Sequence, residues 1–186
     1  MEYNQMGKIE EIINWIENNS TEVIDNIEHE SVDVYNFLKN EFAKSNVNEN
    51  YLFQFVFRSF YRVDNAGLTP EFKKEYFNIL EQYRNEKELE FEKPLKRLSE
   101  FRNRKGQKTV QFSFVTKMFN TIDDSFPIYD GKVARMFSLR RPSNGDFDCK
   151  LKKYSGQFNE IESVYRQVIK ENLLPKTVQI FDQNFK

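Results

Sequence analysis

The sequence predicts an all-α fold, a compact multi-helix domain, on three observations. Apolar side chains recur at steps of three and four along nearly the whole chain, the period that lines one face of a helix. Only 6 of 186 residues are glycine, and no pair of β-like runs is joined by a tight Asn-Gly turn. The 19 Phe and 9 Tyr supply large core fillers despite a polar mean hydropathy of -0.75. A chain of this size buries roughly 70% of its unfolded surface, so folding needs neither metal nor disulfide. The length suits one helical domain over residues 1–186. The alternative is a division into two helical lobes, about 1–101 and 102–186.

Taken in order, Ile9, Ile12, Ile13 and Ile16 form the first apolar stripe, with Trp15 at its margin. A short helix after Ser20 carries Val23, Ile24 and Ile27, and a third carries Val34, Leu38 and Phe42 beside Tyr35. Residues 51–61 are apolar nearly all round, as in a central helix buried on several sides. Their alternation also fits a strand, but the helical neighbours favour helix. Thr69, Pro70 and Glu71 make a strong helix start, followed by a stripe of Phe72, Tyr76, Leu80 and Tyr83. Pro94 opens another helix with Leu95, Leu98 and Phe101. Residues 110–120 read as a buried helix and 130–139 as a shorter one. Arg141-Pro-Ser-Asn-Gly-Asp146 is the strongest loop signal. Phe158, Ile161, Val164, Tyr165, Val168 and Ile169 then mark an amphipathic helix closed by Pro175, before a short C-terminal piece with Val178, Phe181 and Phe185.

Several function classes drop out. Cys149 and His29 are each the only residue of their type, which argues against an internal disulfide, a thiolate or histidine zinc site and a Ser-His-Asp triad. His29 lies between two glutamates and reads as a solvated surface residue. The sequence contains no phosphate-binding glycine loop, dinucleotide fingerprint or H-E-x-x-H pattern, and no cofactor is implied. No stretch approaches the ~20 apolar residues of a membrane span. Residues 1–16 lack the pattern of a signal peptide. The expectation is a cytoplasmic protein with no membrane partner, and the Asn-, Lys- and Phe-rich composition suggests a bacterial source.

Net charge is only -1, but it is unevenly distributed. Residues 1–101 hold 12 Lys and Arg against 20 Asp and Glu, whereas residues 102–153 hold 12 against 5. A basic face attracts phosphates and releases counterions. Such a block either binds nucleic acid or pairs with the acidic N-terminal half.

Within that block, Phe126-Pro-Ile-Tyr-Asp-Gly-Lys-Val-Ala-Arg-Met-Phe137 is the most distinctive run. Upstream, the basic turn Asn103-Arg-Lys-Gly-Gln-Lys108 leads into the apolar helix and then a loop over 121–125. This order, over roughly residues 103–140, resembles the helix-hairpin-helix DNA glycosylases, most closely the adenine glycosylase branch. The resemblance implies the glycosylase helical fold and duplex DNA as partner, with Asp130 as the catalytic carboxylate steadying positive charge on the sugar. It further implies a phosphate held by backbone N–H groups at a helix N-terminus, here Lys105, Gly106 and Lys108, with Lys132 and Arg135 as further DNA contacts. Gly106 stands alone where the family has two glycines. Phe112 occupies the position of the family's nucleophilic lysine, 18 residues before Asp130, so water is the implied nucleophile. The chain also resembles a set of bacterial proteins sharing its Gln-Phe-Ser-Phe-Val-Thr-Lys and Pro-Ile-Tyr-Asp blocks, a likeness that implies no activity.

The residue-level alternative for Asp130 is an ordinary N-cap, contributing about 1 kcal/mol. Arg58, Tyr61, Arg62 and Asn65 recur at helical steps and either line a pocket facing Asp130 or are an exposed edge of the helix or an internal ion pair. A non-catalytic DNA- or protein-binding domain, and a structural helical protein, are the competing functional expectations.

Overall fold

The structure, a computed structural model, describes residues 2–186, with side chains outside the description at residues 2–6 and 8. Among the described residues there are ten α-helices and no strand: α1 Glu2–Asn18, α2 Ser20–Asp25, α3 His29–Lys44, α4 Tyr51–Phe60, α5 Pro70–Gln82, α6 Glu92–Ser99, α7 Phe112–Ile122, α8 Gly131–Met136, α9 Phe147–Lys170 and α10 Pro175–Phe185. No helix is long and apolar enough to cross a membrane among these residues.

The apolar periods fall where helices form. The α5 start is as expected: the Thr69 side chain accepts from Phe72 N at 3.3 Å and Pro70 occupies the first turn. That helix buries Phe72, Tyr76, Phe77, Ile79 and Leu80, and its rings meet Phe53 and Phe57 of α4. Helix α7 supplies Phe112, Val115, Met118 and Phe119, and α9 closes the other side with Tyr154, Phe158 and Ile161. Each of these side chains removes roughly 1.5–3 kcal/mol worth of apolar surface from water.

Three expectations are corrected. Helix α4 is not buried on several sides: Phe53 and Phe57 face the core, but Tyr51, Leu52 and Phe55 are 77%, 61% and 60% exposed. It packs on α3 and, through the Phe53 and Phe57 rings, on α5, which leaves one flank open. Helix α9 begins at Phe147 rather than near Phe158, because Asp146 caps it by accepting from Cys149 N at 2.8 Å. Pro175 opens α10 rather than closing α9, which ends at Lys170. His29 is exposed, with its ring 4.6 Å from that of Phe185.

Candidate functional site

The Asp130 segment is clamped from α7. The Thr116 hydroxyl, fully buried, accepts from Tyr129 N at 3.1 Å, and Asn120 Nδ2 donates to Phe126 O at 2.8 Å. The Tyr129 ring stands edge-on to Phe112 and Tyr154, which stack at 4.8 Å and 7°. Tyr129 Oη donates to Gln157 Oε1 at 2.8 Å. Burial pushes its phenol up to about 12, with Tyr154 adding to the rise and Arg141 opposing it. Pro127 precedes this extended stretch and cannot continue a helix. The chain therefore reaches Asp130 in extended conformation, with φ -138° and ψ -178°.

Asp130 caps α8 through one oxygen. Its Oδ1 accepts from Lys132 N at 2.8 Å and Val133 N at 2.9 Å. The residue is half-buried and lines a cleft of about 450 Å³ together with Asn103, Gln111, Ser113, Arg141 and Tyr154. That volume lies in the range of small-molecule pockets. The cleft floor is the Phe112–Tyr129–Tyr154 aromatic cluster. The Asp130 charge acts on two half-buried groups. Burial pushes the Lys117 ammonium below its ordinary range, and Asp130 partly offsets this while Arg62 adds to it. Burial raises the Tyr165 phenol, and Asp130 raises it further. Lys117 Nζ lies 5.1 Å from the Phe114 ring centre and 5.7 Å from that of Tyr61.

The basic turn abuts the same cleft through Asn103. Asn103 organises it: Oδ1 accepts from Lys105 N at 3.0 Å and Gln107 N at 2.9 Å, while Gly106 N donates to Asn103 O at 2.8 Å. Gly106 adopts φ +73°, where a side chain is strained. Arg104 N donates to Gly67 O at 2.8 Å, docking the turn onto the chain that follows α4. The turn is not at a helix N-terminus, since α7 starts only at Phe112. The N–H groups of Lys105 and Gly106, two of the three expected to hold a phosphate, are already bonded to Asn103 within the turn. Lys105 and Lys108 are exposed and offer their side chains instead.

Lys132 and Arg135 are exposed on α8, with Arg135 Nε donating to Gly131 O at 3.1 Å. The expected stripe of Arg58, Tyr61, Arg62 and Asn65 does not assemble. Helix α4 stops at Phe60, Arg62 turns left-handed at φ +57°, and Asn65 lies in the 3-10 turn Asp64–Ala66. Tyr61 is buried, and desolvation raises its phenol well above the ordinary range. Arg58 lies 3.6 Å from Asp64 and borders a different cleft, between α4 and α5.

Sequence reasoning placed Arg141 only in the basic block and missed Thr116, Tyr154 and Gln157. The apolar series Phe147, Leu151, Tyr154, Phe158, Ile161 runs at alternating steps of four and three and carries the signal for Tyr154. Nothing local marks Thr116 or Gln157. Among the described residues the ion pairs are Arg58 and Lys73 with Asp64, Arg84 with Glu81, Lys96 with Glu92, Arg97 with Glu75, Arg166 with Glu162 and Lys186 with Asp182. None uses a cation from residues 102–153.

No family model matches the chain, and no curated protein or solved structure matches it significantly.

Proposed function

We propose that this chain is a helical DNA-glycosylase-like protein that binds duplex DNA and cleaves a base–sugar bond. The observation that carries the reading is the placement of Asp130. It borders an aromatic-floored cleft of about 450 Å³, and only Oδ1 of its carboxylate is engaged in the helix cap. A nucleotide swung out of the duplex stacks in such a site on aromatic or apolar side chains. As the bond to the base breaks, its electron pair leaves with the base and positive charge grows on the sugar. The anchored Asp130 carboxylate stabilises that charge without needing to reorient. Water then adds to the sugar carbon and releases a proton. Exposed cations around the site, including Lys105 and Lys108, support attraction of the phosphate backbone.

The test is release of free base from lesion-bearing duplexes by wild type and Asp130→Asn. Asparagine keeps the cap, because it accepts the same two N–H groups. Loss of release in Asp130→Asn supports the reading, and equal release removes Asp130 from the chemistry. The second reading is a non-catalytic DNA-binding protein, favoured by the complete N-cap that Asp130 already makes. Salt-sensitive duplex affinity without any base release identifies it.

A further inference from the structure

A second basic feature adjoins the Asp130 cleft at Arg141. The loop between α8 and α9 and the first turns of α9 enclose a shallow depression of about 480 Å³, bordered by Arg140, Arg141, Lys152 and Lys153. All four cations are exposed, and none takes part in an ion pair among the described residues. Ser143, Asn144 and Gln157 add polar side chains to the rim, and Glu160 is its one acidic residue. Like charges gathered in one concave surface repel each other, and a polyanion relieves that repulsion.

The loop is held in place. Gln157 Nε2 donates to Arg140 O at 2.8 Å, while Gln157 Oε1 accepts from Tyr129 Oη at 2.8 Å. One side chain thus ties the cationic loop to the residue preceding Asp130. Arg141 Nε donates to Tyr154 Oη at 3.3 Å. Gly145 turns the loop onto α9 at φ +102°, where a Cβ would lie 2.7 Å from Cys149 Sγ. Arg141 borders both the depression and the Asp130 cleft, so the two meet at that residue.

We infer that Arg140, Arg141, Lys152 and Lys153 hold backbone phosphates of the DNA strand that leads into the Asp130 cleft. This rests on the DNA reading above and adds to it a surface separate from the Asn103 turn. Hydroxyl and amide groups beside clustered cations suit phosphate oxygens, which take most protein–DNA hydrogen bonds and position the duplex without reading its sequence.

The experiment is fluorescence anisotropy of a labelled duplex over a salt series, with wild type, Lys152→Ala/Lys153→Ala, Lys152→Arg/Lys153→Arg and Lys74→Ala. Lys74 is exposed and borders the α4–α5 cleft instead. The alanine pair weakens binding roughly tenfold and makes the slope of log affinity against log salt shallower by about 1.8. The arginine pair and Lys74→Ala bind as wild type. If the alanine pair matches wild type in affinity and slope, the patch is off the DNA path, whether or not base release occurs. If duplex affinity falls as expected but no base is released, the patch stands and the glycosylase chemistry falls. Wild type that ignores duplex at low salt overturns both. So does lysine-dependent binding only to vesicles of equal parts phosphatidylserine and phosphatidylcholine.

Discussion

Thr116 Oγ1 accepts the backbone N–H of Tyr129 at 3.1 Å, and this bond fixes the chain one residue before Asp130. Its own proton lies within reach of Ser113 O at 3.0 Å and Tyr129 O at 3.3 Å. Thr116→Val keeps the shape but strands the buried Tyr129 N–H, at a cost of about 1–3 kcal/mol. Urea unfolding is expected to show a lower midpoint for Thr116→Val and near-wild-type behaviour for Thr116→Ser. Base release, where present, falls with the first substitution and survives the second.

Stability and chemistry separate at Asp130. Asp130→Ala removes the acceptor for Lys132 N and Val133 N and destabilises by about 1 kcal/mol, whereas Asp130→Asn changes stability by much less. Thermal melts check the stability difference, and base-release assays of both variants are expected to show the same loss. If only the alanine variant loses activity, the cap alone is responsible.

Glu81 gives an acid-side signature. Arg84 Nε and Nη2 each donate to its carboxylate at 2.7 Å, and Val47 N donates at 2.9 Å. These bonds, the Arg84 bonds foremost, hold its pKa below the ordinary 4.5 despite burial. A depressed folded value means the stabilisation is present above 4.5 and is lost as pH falls through the lowered value. Glu81→Gln is expected to reduce stability at neutral pH and to flatten that acid dependence, read by urea titrations across the series. Arg84→Ala also loses the bonds to Phe42 O and Ser45 O and costs at least about 2 kcal/mol.

Lys117 works in the opposite sense. Burial lowers its pKa from the ordinary 10.5, so between the lowered value and 10.5 the unfolded chain binds more protons than the folded one. Stability therefore rises with pH through that window, and the cost of burying the cation is full below it. Wild type is expected to gain stability relative to Lys117→Met as pH rises into the alkaline range. Parallel curves for the two proteins refute this assignment.

The turn at Gly106 has its own test. At φ +73° an alanine meets no neighbour but is strained in the left-handed region, at roughly 1 kcal/mol. Gly106→Ala is expected to lower the thermal midpoint slightly. It weakens duplex binding only if the Asn103-bonded shape presents Lys105 and Lys108.

Helices were the most legible part of this chain, because apolar period and capping act over a few residues. Thr69 and Pro70 set the α5 start, and Asp130 was readable as a cap from its place before a helical run. The end of α4 was not readable. The side-chain period continues through Arg62 and Asn65, but Val63, fully buried, is drawn inward and donates to Arg58 O at 2.8 Å, which reverses the chain. That long-range demand split the expected stripe into a core tyrosine, an ion-paired arginine and two exposed residues.

By itself the sequence determined the helical class, the uneven charge and the carboxylate at the head of α8, since each follows from composition or from neighbours along the chain. Only the tertiary structure decided that Asn103, Arg141 and Asp130 share one cleft, that Gln157 joins Tyr129 to the Arg140 loop, and that no ion pair among the described residues uses a cation of residues 102–153. Those relations depend on how α7 and α9 pack around Phe112, Tyr154 and Phe158. Packing between distant segments is set by shape and burial, which no local pattern records.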